Sequence, residues 1–491
     1  MAGRARCPHR AGRKEARING AGWDPYDQNA SSEFFDPEWV FNIKDGFDVV
    51  IGNPPYGVVN KRQNKGVSIV VDERTFAQFK DSDHYAPSRG KGLLNIYRLF
   101  VQKSLELLVI NGIFSEIFPL AFAGDLSAAS LRRFVFSRYR GLKFEAFPER
   151  DDPNRRVFEA AKMSVCILIA KNDRGGGSLM IRVNDNRYVD FSKKAFPISS
   201  KMLFEMDSKY VRMPIVTETE YGILYKIREK FQSVGTIYRC ATGELDMTFA
   251  KDAFTTSTRF SEMIRGAGIG RYEIREEMSQ GGYLYINESN LKNRDVMRQL
   301  KESERIVLQG ITGVNEKWRL KATLAKSVYC ANSTNYIFVR GTVARLILGI
   351  FNSRLMNFYF GRFSTNSNVN GYEVDELPMP TAIGTTATTE TNETIADNTV
   401  ASQIATLVDR ILAAKKADSA ADTSVLEAEI DQLVYKLYGL TEEEIAVVEG
   451  RGADTAPDGT GNASERIKVA PGKPRRRSTV EAVNEDDEEL E

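Results

Sequence analysis

An apolar strand that runs directly into two prolines constrains this chain more than any other feature. The stretch is Phe47-Asp48-Val49-Val50-Ile51-Gly52-Asn53-Pro54-Pro55-Tyr56. The Val-Val-Ile run has the β-branched composition of a buried strand. Proline has no N–H to give a ladder and fixes φ, so the strand must stop there and the next residues must be rigid. The surrounding sequence alternates short apolar runs with amphipathic segments from Trp23 to about Lys171, as α/β units do. Residues 94–108 set Tyr97, Phe100, Val101, Leu105 and Leu108 at helical spacing, with Asn111-Gly112 as the stop. Ile113 to Phe118 reads as the next strand, closed by Pro119. A helix over about 127–138 and a strand over Met163–Ala170 come after it. The expected layout is a parallel sheet, with function where strands end and loops begin.

Gly175 to Gly177 marks a change of composition, and the chain to Pro380 then carries short strands among many Asn, Ser, Thr and Gly residues. Thr217 with Glu220 predicts a capping box ahead of Ile223, Leu224, Ile227 and Phe231. Residues 381–402 are Thr-rich and read as a linker. Two helices come next, the second stopped by Gly439, with another capping box at Thr441 and Glu444. Beyond Gly450 nothing periodic remains, and the tail reads as disordered. The 491 residues suffice for two or three domains. No run of apolar residues is long enough for a membrane helix, and the basic N-terminus lacks the apolar core of a secretory signal, so a cytoplasmic setting is expected. Cys7, Cys166, Cys240 and Cys330 lie far apart and His9 and His84 are the only histidines, which speaks against a metal site or a His-based triad.

The residues after the strand suggest a different chemistry. An amide oxygen on Asn53 and the carbonyl of Pro54 can accept the two hydrogens of an exocyclic amino group, the asparagine without a full charge. The residue before a proline is biased to extended geometry, and Pro54-Pro55 hold both acceptors in place beforehand. Tyr56 adds a flat face for a base swung out of a duplex. The same stretch also admits a plain rigid turn.

The ordered set of motifs resembles the adenine-N6 methyltransferases of large restriction–modification systems, the fused type IIG group in particular, from about Trp23 to Glu449. Asp48 to Tyr56 looks like the catalytic motif. Asn95-Ile96-Tyr97-Arg98-Leu99-Phe100 is similar to the next motif, whose helix borders the adenosine of S-adenosylmethionine, which implies a cofactor contact at Phe100. Val157-Phe158 resembles the segment whose aromatic packs on the flipped adenine. Arg305 to Ile311, Asn352-Ser353-Arg354-Leu355 and Glu376 to Pro380 resemble the target-recognition domain, and Asp431 to Glu444 the helical end. The implied fold is α/β: a partial Rossmann-like methyltransferase sheet (23–175), an α+β connector and target-recognition domain (176–380), the linker, a helical hairpin (403–450) and the tail (451–491).

In that family a Gly-rich loop and an acidic ribose ligand precede the catalytic motif, and each βαβ unit takes roughly 30 residues. Only 52 residues precede Asn53, and residues 1–22 match nothing in the family, so a truncated or split product is expected, with the donor-binding half as partner. Gly266-Ala267-Gly268-Ile269-Gly270 is a poor substitute, because no buried strand leads into it. Residues 57–92 read as a long loop with seven basic and four acidic residues, in which Lys61, Arg62, Lys65 and Arg89 are candidate phosphate contacts. In the recognition domain Gln309, Asn315, Lys317, Arg319, Asn366 and Asn370 are candidates to hold duplex DNA. A DNA-recognition subunit without turnover, and a fragment of a fused restriction endonuclease, remain as alternatives.

Overall fold

The structure is a computed structural model that describes residues 38, 42–61, 68–90, 92–173, 175–275, 284–313, 316–365, 367–380 and 399–451. Residues 1–22, most of the linker and nearly all of the tail lie outside these. The chain runs through β1 (Phe47–Gly52), β2 (Val58–Asn60), β3 (Ser68–Val70), β4 (Leu108–Pro119), β5 (Arg140–Phe147), β6 (Val165–Lys171), β7 (Ser178–Val183) and β8 (Phe196–Ser199). Six of these strands form one sheet in the order β1, β4, β6, β5, β7, β8. The sheet is mixed rather than parallel: β1 and β4 run together, as do β5 and β7, while β6 lies antiparallel between β4 and β5. β7 and β8 extend this sheet past Gly175 to Ser199.

Alternation sets the two faces of the sheet apart. Phe114, Phe118, Phe144, Cys166, Leu168 and Ala170 point into the core, against Tyr97, Val101 and Leu105 of the helix Ile96–Glu106 and Leu131 and Val135 of the helix Ala129–Arg138. The first helix begins at Asn95, whose side chain accepts from the Tyr97 N–H. It stops at Leu107, not at Asn111. Asn111 instead takes a φ of 67° inside β4, a conformation asparagine tolerates better than most residues. The segment after Tyr56 is no open loop. β2 and β3 pair in parallel, and the helix Glu73–Asp81, capped by Asp72, packs beside them.

The later region holds two four-stranded sheets. One orders the strands Ala241–Thr242, Thr334–Phe338, Arg305–Gln309 and Ala322–Ala325; the other contains Phe254–Thr255, Leu284–Ile286, Ser261–Ile264 and Tyr329–Cys330. Arg305 is fully buried, paired with Glu244 through both nitrogens at 2.9 and 3.0 Å and lying over the Tyr336 ring. Both expected capping boxes form, at Thr217–Glu220 and Thr441–Glu444, and Gly439 ends its helix at a φ of 69°. The helices Val400–Ala417 and Ser424–Tyr438 make the expected hairpin. No helix among the described residues is long and apolar enough to cross a membrane.

One continuous core runs from the sheet to the hairpin. The seam between sheet and recognition region is tight at Gly124, where an added Cβ would stand 2.6 Å from the Phe363 carbonyl and 2.9 Å from Thr365 Oγ1. Met213 N–H donates to the Ala123 carbonyl nearby, and Arg362 pairs with the buried Glu220 at 2.7 Å. A methyl group at Gly124 would have to push the two regions apart. Gly124→Ala is expected to destabilise the protein by about 1–3 kcal/mol, seen as a melting point lower by several degrees. An unchanged melting point would mean the seam is loose.

Candidate active site

The two prolines lie where β1 ends. Asn53 and Pro55 are exposed, Pro54 is buried and Tyr56 is half-buried. The Tyr56 hydroxyl stands 2.6 Å from Asn53 Oδ1 and 2.9 Å from the Ile117 carbonyl of β4. A phenol has one proton, so it donates to one of these at a time. Donating to Asn53 it holds the amide oxygen, and donating to Ile117 it ties the motif to β4; in both cases the Asn53 oxygen keeps a lone pair for an incoming donor. Burial above all, then the neighbouring Cys166 and Glu116, pushes the Tyr56 phenol far above its usual range, so it stays protonated. Gly57 N–H meets Asn95 Oδ1 at 3.4 Å and the Gly57 carbonyl accepts from Ile96 N–H, which joins the motif's exit to the next motif's helix.

Phe158, on the loop between β5 and β6, is brought to this point. Its ring centroid is 6.3 Å from that of Tyr56, with the planes at 56°. A flat ring stacked between them needs about 7 Å, two contacts of about 3.5 Å, so the rings would have to move slightly apart as their planes turn toward parallel. Phe100 is partly exposed on the helix Ile96–Glu106.

Glu116 is a site residue that the sequence reading passed over. It lies on β4 opposite Gly52, and a Cβ at Gly52 would stand 3.3 Å from its Oε1. Ser104 donates to that oxygen at 2.6 Å, while Oε2 is buried without a hydrogen-bond partner. Burial raises the Glu116 pKa and the Ser104 bond opposes it. The signal was available: a single carboxylate inside the apolar run Ile113–Phe118.

The expected DNA contacts divide. Lys61 is exposed and paired with Glu73 at 2.6 Å, and Arg89 donates to the Lys80 carbonyl. Arg62, Lys65, Asn315 and Asn366 lie outside the described residues. Gln309 donates to the Ile311 carbonyl at 2.7 Å, and Lys317 is exposed. Arg319 is a correction. Its guanidinium is buried over the Phe360 ring, donating to Thr312 Oγ1 at 2.9 Å and Ser364 Oγ at 3.2 Å, and burial pushes its pKa down to about 10. It holds the loop instead of facing solvent. Asn370 donates to Glu373 Oε2 at 2.7 Å within a helix cap, which uses the side chain locally. The loops around 310–313 and 367–370 are nonetheless joined, through Thr312 N–H to the Ser367 carbonyl and Val369 N–H to the Gly310 carbonyl.

The face opposite the core also corrects an expectation. Val49 and Ile51, read as buried, are 58% and 78% exposed, and Ile113, opposite Val49 in register, is exposed too. β1 ends the sheet, paired on one side alone among the described residues. An uncovered apolar stripe therefore borders the motif.

Residues 13–150 match the family model of the Eco57I restriction-modification methylase, and residues 261–379 that of the TaqI-like C-terminal specificity domain. The first match begins upstream of Trp23, inside the stretch expected to match nothing. A protein of Methanocaldococcus jannaschii named as a type II restriction enzyme and methyltransferase is 24% identical over 342 residues, 66% of this chain and 26% of that protein. The chain thus spans about a quarter of that relative's length. Among solved structures, the type IIL restriction-modification enzyme MmeI in complex with DNA aligns over 81% of this chain and 55% of its own, at 11% identity and a TM-score of 0.47. A nuclease-deletion mutant of the type ISP enzyme LlaGI with a DNA substrate mimic aligns over 74% and 34%, at 11% identity and a TM-score of 0.44.

Glu116 makes a testable contribution to stability. Its folded pKa lies above its unfolded value of about 4.3, so the favourable term is fully present below that pH. As pH rises toward the folded pKa, the unfolded chain loses its proton first and stability falls. Glu116→Gln removes this loss, so the variant should gain stability relative to wild type as pH rises from about 4.3 through the folded pKa. Parallel stability curves for the two proteins over that range would refute the assignment.

Proposed function

We propose that this chain is the catalytic and DNA-recognising portion of an adenine-specific DNA methyltransferase in a restriction–modification system, working in the cytoplasm. The observation that carries the reading is the Asn53–Tyr56–Phe158 group at the end of β1, an uncharged acceptor beside two aromatic rings. The matches to a methylase model and a specificity-domain model, in that order along the chain, support it.

The amino nitrogen of adenine is a poor nucleophile because its lone pair is shared with the ring. Asn53 Oδ1 and the Pro54 carbonyl accept from its two hydrogens and favour a more tetrahedral, more reactive nitrogen. Tyr56 holds Asn53 in place through its hydroxyl, so no reorganisation is needed when the base arrives. The Tyr56 and Phe158 rings fix the plane of the flipped base. S-adenosylmethionine would supply the electrophilic methyl group. Of its site the described residues offer at most one wall, from the exposed Asn53 and Phe100.

The uncovered stripe of Val49, Ile51 and Ile113 supports a further part of the reading, a donor-binding polypeptide that adds a strand to β1 and covers the open face. Exposed apolar area next to an unpaired strand edge is a liability unless a partner covers it. The purified chain is expected to bind DNA with a steep salt dependence, because its cations release counterions. It should bind S-adenosylmethionine weakly or not at all, since one wall cannot offset the entropy of holding the donor. Calorimetry with the donor decides: a micromolar dissociation constant together with methylated adenine in incubated DNA would overturn the need for a partner.

In the assembled enzyme, Asn53→Ala should lower methyl transfer by at least about a hundredfold, the scale of losing one preorganised polar group. DNA affinity should stay within a few-fold, because phosphate contacts dominate it. Near wild-type turnover would remove Asn53 from the mechanism.

A further inference from the structure

Strand directions place a second feature on the same rim as the candidate active site. β1 and β4 are parallel, β6 is antiparallel to β4 and to β5, and β7 is parallel to β5. β1, β4, β5 and β7 therefore all end at one edge of the sheet. The segments after them, beginning at Asn53, Leu120, Pro148 and Asn184, line one rim. The last carries Tyr188 and Phe191, which are 74% and 83% exposed.

These rings stand on an anchored loop. Asn184 is buried, donates to Glu145 Oε2 at 3.0 Å and accepts from Asp190 N–H at 2.8 Å. Lys193 pairs with Asp185 at 2.5 Å. Arg187 reaches across to the loop that bears Phe158, donating to the Pro153 carbonyl at 3.0 Å and the Asn154 carbonyl at 2.8 Å and pairing with Glu159 at 2.6 Å. Arg155 returns the contact at the Asp185 carbonyl, 3.0 Å away. The Arg182 guanidinium lies 5.0 Å from the Phe191 ring centroid, a cation against its face.

We propose that Tyr188 and Phe191 form an auxiliary DNA contact that grips the duplex to one side of the reacting base. This rests on reading the rim as a DNA-methylating site. β7 stands four strand positions from β1, or about 19 Å at about 4.8 Å per step. At 3.4 Å per base pair that is between five and six steps along a duplex lying across the rim. Aromatic rings suit deoxyribose and base edges, and an anchored loop loses little entropy on binding. A protein strand would fit the rings less well, because the Asp190, Ser192 and Lys193 N–H groups beside them are engaged already, and the rim is where a duplex must pass to deliver a base to Asn53.

The test uses the full chain and duplex DNA. In the Tyr188→Ser, Phe191→Ser double variant the affinity should fall about tenfold, with the salt slope unchanged because rings release no counterions. The melting point should stay the same, since neither ring is in the core. Irradiation of wild type bound to 5-iodouracil-substituted duplex should attach DNA to the tryptic peptide Tyr188–Lys193. Wild-type affinity in the double variant with crosslinks confined to other peptides would overturn the proposal. So would an altered salt slope, which would assign the effect to charge. Absence of any DNA binding by wild type would instead overturn the reading of the rim on which the proposal depends.

Discussion

The single proton of the Tyr56 hydroxyl lies between Asn53 Oδ1 and the Ile117 carbonyl, and the geometry of the candidate site depends on it. Proline rigidity alone would leave the Asn53 side chain free to rotate. Tyr56 is packed against the core, and its hydroxyl removes that freedom when it donates to Asn53 Oδ1, so the exposed amide oxygen is referred to the sheet as much as to the loop. The phenol can do this because burial keeps it protonated, and Glu116 and Cys166 beside it act in the same direction. The neighbouring strand is in turn held by the core that Phe114 and Phe118 build against the helix Ile96–Glu106. Position at the reacting group is thus transmitted from hydrophobic burial through one hydrogen bond.

Local signals in the sequence were read well because their physics is local. A capping box needs four residues and a helix stop needs one, so Thr217–Glu220, Thr441–Glu444 and Gly439 came out as expected. The end of β1 before Asn53 was equally legible, since two prolines after an apolar strand leave few alternatives. The misreadings depended on distant partners. β5 was missed, and with it the antiparallel placement of β6, because strand order is set by pairing that no local pattern encodes. β2 and β3 are three residues each, too short to show a period, and their segment was taken for a loop.

Arg319 and Val49 failed in opposite senses for a related reason. Residue type records an average preference, whereas burial is decided by the groups that pack nearby. Arg319 lies inside because Thr312, Ser364 and the Phe360 ring solvate its guanidinium. Val49 and Ile51 lie outside although their composition is that of a buried strand. On the proposed reading their hydrophobicity is that of a surface a donor-binding polypeptide would cover, so this disagreement between sequence and structure is itself informative.

Two exposed apolar surfaces border the rim, and their backbones distinguish the partner each can bind. Along β1 the outer N–H and C=O groups face away from the sheet, at its last strand among the described residues. Another polypeptide strand can satisfy such a row, and the chain that continues from it can cover the face that carries Val49 and Ile51. Around Tyr188 and Phe191 much of the backbone is already spent: Asp190 and Ser192 N–H groups bond side chains of the same loop, Lys193 N–H bonds the Asp190 carbonyl, and the Asp185 carbonyl accepts from Arg155. A partner there needs to offer surface and little hydrogen bonding to the main chain. On the two proposals, apolar exposure of similar size would thus meet a strand at one end of the sheet and a nucleic-acid surface toward the other, with the Asn53 motif beside the first and the Phe158 loop joined to the second.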